Sequence, residues 1–463
     1  MTPARTSAKA SASAGAGAAP ERPITGELRV PKALRIVEEP LGAGANLLTV
    51  RQSRVPLVEV RLAIPIGADQ VKHHAASLVG AESLFAGTEH HNRASFAMAV
   101  ERLGGYVGAS IDADRFAIGG SVLAENLAPF LDLICEALLT ARYPEADVRS
   151  DRDRVADEIV LSRSQPETLA GEALRRRLYG KHPYAIGLPS PSAVRRVGSQ
   201  VLRSLHDVVF RYGGGHLVLV GDIEPAKAAR LARQALGPWL DGLGRAAEPL
   251  PPVPAPRPGP LLLVDRPGSV QSNVRLARPA PGRGDPSWPA AALANLVFGG
   301  LFGSRLVDNL RERHGYTYSP GSSINHSRAG STFGIHAEVA TPSTAASLVE
   351  TLYELGRFSL LGIEPEELES ARRYALGSLS YSLSTQAGVA GTLVRLATAG
   401  MGTDYLSNYA KAIAKVSKDD VDAIAATLFA PTDLVAVVLG DASEIAASIG
   451  RVMALEVRPL GEG

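Results

Sequence analysis

The stretch HLVLVGDIEPAKAARLA, residues 216–232, reads as a strand that ends at Gly221 and Asp222 and runs into an amphipathic helix. The same design returns as DLVAVVLGDASEIAASI, residues 433–449, with Gly440 and Asp441 closing the strand. Two further pairs keep the same order. VRLAIP begins at Val60 and VRLARP at Val274, and SLFAGTEHHN aligns with GLFGSRLVDN. Measured on Asp222/Asp441, Val60/Val274 and Asn92/Asn309, the separations are 219, 214 and 217 residues. Each pair alone is weak, but a common offset in a common order is what an internal duplication leaves.

Between the repeats lies GRAAEPLPPVPAPRPGP, residues 244–260, with seven prolines. Proline removes backbone donors and stiffens the chain, so this segment reads as a spacer and not as a core element. It separates a first domain, residues 33–243, from a second, residues 261–463. Residues 1–32, rich in Ala, Gly and Ser, have almost nothing to bury and read as a disordered tail. Within each half LVEVRLAIPIG alternates like a half-buried strand. NRASFAMAVERL carries apolar side chains at helical spacing and is stopped by Gly104 and Gly105. ADVRSDRDRVADEIVLSRSQ is a long polar helix with one apolar stripe, Val148, Val155 and Ile159. Antiparallel strands grouped between helices predict two duplicated α+β domains, each a sheet flanked by helices.

A chain of 463 residues suits two domains of ordinary size. Its 48 basic side chains stand against 47 acidic ones, which gives no electrostatic reason to expect nucleic acid or an anionic membrane as partner. No apolar run approaches the roughly 18 residues of a membrane span. The N-terminal stretch lacks the Leu/Val core of an export signal, so the expected compartment is the cytoplasm. Cys135 is the only cysteine, which excludes an intrachain disulfide and a cysteine-based zinc site.

The stretch HHAASLVGAESLFAGTEHH, residues 73–91, holds four histidines and two glutamates, yet none stands at the spacing of a familiar zinc motif. His73 and His74 fall at the start of a helix and His90 and His91 past its end. Imidazoles separated by about three helical turns do not converge on one ion. They read as surface or capping histidines.

SLFAGT (Ser83–Thr88), RVADEIV (residues 154–160), LYGKHPYAIGLPS (178–190) and GSRLVDNLRERHGYTYS (303–319) together resemble the insulinase/pitrilysin metallopeptidase family, which includes the mitochondrial processing peptidase. The resemblance spans about residues 33 to 458. The family's hallmark is H-x-x-E-H on a helix, in which two histidines on one face bind zinc and the glutamate activates water. Aligned on SLFAGT, those three positions fall on Leu78, Ala81 and Glu82, while the later third ligand falls on Glu158. With neither imidazole nor base, no zinc is expected in this chain and no activity from it alone.

The resemblance also implies roles for Arg311 and Tyr318, seven residues apart, as groups of the second domain that face a catalytic metal. Tyr318 would donate to the forming oxyanion, and Arg311 would hold substrate carbonyls or orient the tyrosine. LGGYVGASIDADRFAI, residues 103–118, is similar to the strand that adds to a bound peptide's backbone. His182, beside Pro183, reads as a packing residue. The expected function is a non-catalytic subunit that pairs with a homologous zinc-bearing partner to cleave unfolded peptides. The alternatives are a scaffold subunit with no proteolytic role, and a metalloenzyme with relocated ligands.

Overall fold

A computed structural model describes residues 26, 28–244 and 246–461. Most of the expected tail, residues 1–32, lies outside the described residues. The chain builds two six-stranded sheets. The first contains β1 (Ile36–Gly42), β2 (Ala45–Arg51), β3 (Leu57–Pro65), β4 (Tyr106–Ile111), β5 (Arg115–Leu123) and β6 (His216–Gly221) in the order β1-β2-β6-β3-β5-β4. The second contains β7 (Leu261–Asp265), β8 (Gln271–Ala280), β9 (Gly321–Ser327), β10 (Gly330–Ala340), β11 (Val435–Gly440) and β12 (Leu455–Pro459) in the order β12-β7-β11-β8-β10-β9. Residues 246–260 between the sheets carry neither helix nor strand.

From the second strand inward the orders coincide, as a duplication requires, so the fold is α+β with two repeated units. The sheets are antiparallel-rich, as the sequence suggested, and mixed. β2 runs parallel to β6, and β7 to β11, because a long helical crossover returns the chain in the same direction. The outer strand differs between the lobes. In the first it is β1, joined to β2 by a tight hairpin; in the second it is β12, from the far end of the chain and parallel to β7.

The quoted repeat folds as its pattern predicts. Leu217 to Val220 are buried, and Gly221 has φ +159° beneath the carbonyl of Leu57, where an added Cβ would stand 2.1 Å from that oxygen. Its counterpart β11 is buried along its whole length, and Asp441 caps the helix Ala442–Ile449 by accepting from the Ser443 N–H.

Each lobe lends a helix to the other. The first lobe's Pro166–Tyr179 lays Ala170 and Ala173 on Leu262, Val264, Val437 and Leu439 of the second sheet. Its duplicate, Gln386–Thr398, lays Val389, Leu393 and Leu396 on Leu48, Val50, Val218 and Val220 of the first. Both sheets are thus covered on two faces, which explains their continuous apolar runs. The other faces bury separate cores. In the second lobe Phe298, Phe333, Phe358 and Phe429 meet ring to ring at 4.8–6.1 Å.

One helical segment, Trp288–Arg313, is long and apolar enough to cross a membrane by length and composition, contrary to the sequence reading. Leu293, Val297, Phe298, Leu306 and Leu310 place its apolar side in the core of the second lobe.

Candidate functional site

The helix His74–Ser83 carries Leu78, Ala81 and Glu82, the positions on which the resemblance places the zinc motif. Leu78 and Glu82, four apart, share one face, which turns toward the long helix Glu145–Ser164. Leu78 packs beside Val155, Ala156 and Ile159 of that helix, and Ala81 is buried in the sheet-side core. Glu82 remains exposed, and so does Glu158 on the neighbouring helix.

Glu158 is not left without a partner. The Arg154 guanidinium ion-pairs with Glu82 and donates to Glu158 Oε1 at 2.9 Å, so it joins the two surviving carboxylates. Their charges hold the arginine above its ordinary range, although burial works in the other direction. A third carboxylate, Asp151, lies 3.7 Å from Arg154, accepts from Ser83 Oγ at 2.7 Å and binds Arg93 at 2.5 Å.

This arrangement does not fit zinc. A cation already satisfies the two carboxylates, and the face that needs imidazole presents a packed leucine and an alanine methyl. Among the described residues no group of three or more His, Cys, Asp and Glu side chains is placed to hold a metal ion. The sequence reading missed Asp151 and Arg154. Arg154 and Glu158 stand at helical spacing and were legible as a pair. The link to Glu82, 72 residues away, was not.

The histidines of residues 73–91 gather into no metal-holding group among the described residues. His73 precedes the first turn of its helix. Burial lowers the His74 pKa from the usual histidine value. His91 Nδ1 stands 3.0 Å from Glu136, which also accepts from Thr88 Oγ1. Burial alone would raise the Glu136 carboxyl, but these two contacts outweigh it and hold the group below its ordinary range. His182 is buried, accepts from the Tyr184 N–H and binds the carbonyl of Pro251 at 2.8 Å, fastening the proline-rich spacer.

Arg311 and Tyr318 lie in the second lobe, at the end of Trp288–Arg313. The helix widens into π-turns over Leu296–Gly300 and Asp308–Arg313, a local expansion that re-aims side chains. Arg311 emerges from the second π-turn. Its guanidinium carbon sits 3.8 Å from the centroid of the Phe302 ring, and it also pairs with Glu312 at 2.7 Å. Tyr318, in the extended stretch leading to β9, is 83% exposed, and among the described residues its hydroxyl has no hydrogen-bond partner. Phe302 is itself 78% exposed. Arg311 and Phe302 stack into a polar-aromatic ledge. Asn309, buried two residues before Arg311, donates to Glu350 and Glu354 at 3.0 and 2.9 Å. The segment 103–118 is a hairpin, not one strand: β4 is an edge of the first sheet, and Asp112–Asp114 makes the turn into β5.

Residues 196–374 match the family described as peptidase M16 inactive domain. An uncharacterized zinc protease of Mycobacterium leprae is 24% identical over 363 residues, covering 76% of this chain and 79% of that protein. One of Streptomyces coelicolor is 24% identical over 349 residues, covering 74% and 75%. Among solved structures, a peptidase M16 inactive domain from Pseudomonas fluorescens superposes with a TM-score of 0.79 at 23% identity, covering 88% of this chain and 98% of that one. A protease from Helicobacter pylori gives 0.75 at 18% identity, covering 88% and 99%. The repeated fold, the matched domain and relatives that run along most of its length are all similar to the peptidase M16, or insulinase/pitrilysin, family.

Proposed function

We propose that this chain is the non-catalytic subunit of a two-chain zinc metallopeptidase and works beside a homologous, zinc-bearing partner. The observation that carries the reading is the contrast within one polypeptide. The zinc face is filled by Leu78, Ala81 and the Arg154 bridge, while Tyr318 keeps an exposed hydroxyl with no partner of its own. A phenol with no internal partner is suited to donate to negative charge that develops on a substrate carbonyl. Arg311, braced on Phe302, holds a fixed positive charge in the same segment. Unfolded peptide binds by edge-strand addition, and cleavage takes place at the partner's metal in the cytoplasm.

The test purifies the chain alone and with a homologue that carries H-x-x-E-H, then follows hydrolysis of an unfolded peptide. The expected result is no turnover by the lone chain and turnover by the pair. Replacing Tyr318 with Phe should lower kcat by about 100-fold, the usual effect of losing one oxyanion donor, with the melting temperature unchanged. Chelator-sensitive turnover by the lone chain, or an undiminished Tyr318→Phe complex, would sink the reading. A scaffold role is the second reading. It is favoured by Arg311 being engaged with Phe302 and Glu312, and it predicts no turnover in either arm.

A further inference from the structure

The two lobes touch at their hairpin tips. The turn between β4 and β5 meets the turn between β9 and β10, its counterpart in the duplication. Asp114 accepts the Arg328 N–H at 2.9 Å and the Tyr184 hydroxyl at 2.5 Å, while Tyr184 accepts the Ala329 N–H at 2.9 Å. Beside this junction lies a cavity of ≈ 350 Å³ lined by four arginines, 115, 283, 328 and 395, against two carboxylates, Asp112 and Asp114.

Four of the six charged groups are engaged by contacts inside the junction. Asp114 is taken as above, Asp112 lies 3.3 Å from Arg115, and Arg328 donates to the carbonyl of Ile66 at 3.2 Å. Arg283 and Arg395 have no carboxylate partner among the described residues. Arg283 leans on the Trp288 ring at 5.9 Å, at the end of a row in which Trp288, Tyr409 and Tyr405 stack. Arg395 reaches only Thr392 Oγ1, at 3.3 Å.

These guanidiniums crowd one another. Burial, then the charges of Arg283 and Arg115, press Arg395 below the ordinary arginine range. His326 stands on the same wall, with Ser331 Oγ 2.7 Å from its Nδ1. Burial and the Arg283 charge keep this imidazole neutral, with a pKa of about 4, so it adds no charge to the wall. Two guanidiniums without a carboxylate, beside Arg115 around a single hollow, call for a compact group with two negative charges and several acceptor oxygens.

We propose that this inter-lobe cavity binds a phosphate dianion, free or carried on a small molecule, between Arg283 and Arg395 of the second lobe and Arg115 of the first. The bound group ties the lobes together at their tips. The volume exceeds that of a lone phosphate and leaves room for a small organic substituent. This site is independent of Arg311 and Tyr318 and of any role in proteolysis.

The experiment titrates the full chain with inorganic phosphate and, separately, with glycerol phosphate, by calorimetry and by thermal unfolding, against chloride at matched ionic strength. Expected are saturable binding of at least one of the two and a melting temperature that rises with its concentration. Arg395→Gln, a change at an exposed side chain, should weaken the binding by about tenfold, the usual worth of a charge-assisted contact. Free phosphate binding as tightly as glycerol phosphate identifies the free ion, and tighter binding of glycerol phosphate identifies a carried group. The proposal is overturned by melting temperatures equal in phosphate and chloride, by a wild-type response matched in Arg395→Gln, or by acetate binding as tightly as phosphate. Arg283→Gln serves as the second variant and should behave as Arg395→Gln does.

Discussion

The regions His74–Arg102 and Trp288–Arg313 occupy equivalent places in the duplication, with Asn92 and Asn309 at the same point within each. The first opens with the short, largely buried helix His74–Ser83: Leu78 packs against the long helix Glu145–Ser164, and Glu82 is tied to Arg154 in the open. Asn92 there caps a helix, receiving the Ser95 N–H at 2.9 Å. The second is long, buried along one side and locally widened. Its arginine pairing is internal: Arg305 donates twice to Glu367, at 2.8 and 2.5 Å, and lies 4.9 Å over the Phe358 ring. Asn309 is buried two residues before Arg311. The same repeated region is therefore packing in one lobe and the mount of Arg311 and the exposed Phe302 in the other.

The largest expected effect tests the exchange of helices. Gln386–Thr398 covers the first sheet with Val389, Leu393 and Leu396, whereas Pro166–Tyr179 covers the second with alanines. Leu393→Ala should therefore cost about 2–4 kcal/mol, the range for a buried leucine whose site collapses only in part. Urea unfolding measures it. A loss below 1 kcal/mol, or one that leaves m unchanged while the lobes separate by scattering, would break the view that this helix fastens them.

Next is the buried pair of the second lobe. Arg305→Met should cost about 2 kcal/mol, less than a fully buried pair because Glu367 retains some contact with water. Burial pushes Glu367 upward, but the Arg305 hydrogen bonds and charge outweigh it and leave the carboxyl below its ordinary range. A depressed carboxylate stabilises the fold fully above its unfolded pKa and loses that contribution as pH falls through the folded value. The gap between wild type and Arg305→Met should therefore be widest at neutral pH and narrow below the ordinary glutamate range. A gap that does not vary with pH contradicts the assignment.

The smallest effect belongs to the first lobe. Arg154→Met breaks the Glu82–Arg154–Glu158 bridge, but all three side chains are largely exposed, so a change of about 0–1 kcal/mol is expected. The same variant frees both carboxylates, yet it should bind no zinc, since Leu78 and Ala81 supply neither imidazole nor base. Metal analysis that finds stoichiometric zinc in Arg154→Met would erase the contrast between the lobes.

Much of this was legible in the chain. The offset repeats predicted two similar lobes because each repeat is a local unit, a strand closed by Gly-Asp and followed by a helix, which folds the same way wherever it stands. The stripe Val148, Val155 and Ile159 marked the buried side of its helix, although Asp151, a charged residue inside the same stripe, is buried too because Ser83 and Arg93 satisfy it. β12 escaped notice. It has five residues, most of them exposed, and exists because β7 offers a free edge beside it. The parallel pairing of β2 with β6 was likewise invisible, since it depends on where a crossover of more than a hundred residues returns.

By itself the sequence determined the composition of the face on which the resemblance places the zinc motif. Whether a position holds histidine, glutamate, leucine or alanine decides what it can ligate, and no fold changes that. It also carried the likeness to the family, through runs of residues whose order is fixed by local structure. Only the tertiary structure decided what packs on that face, which helix each lobe lends the other, and which arginines meet at the hairpin tips without a carboxylate. Those facts depend on residues distant in the chain standing within a few ångströms, and contact at that range follows from the packing of the whole molecule.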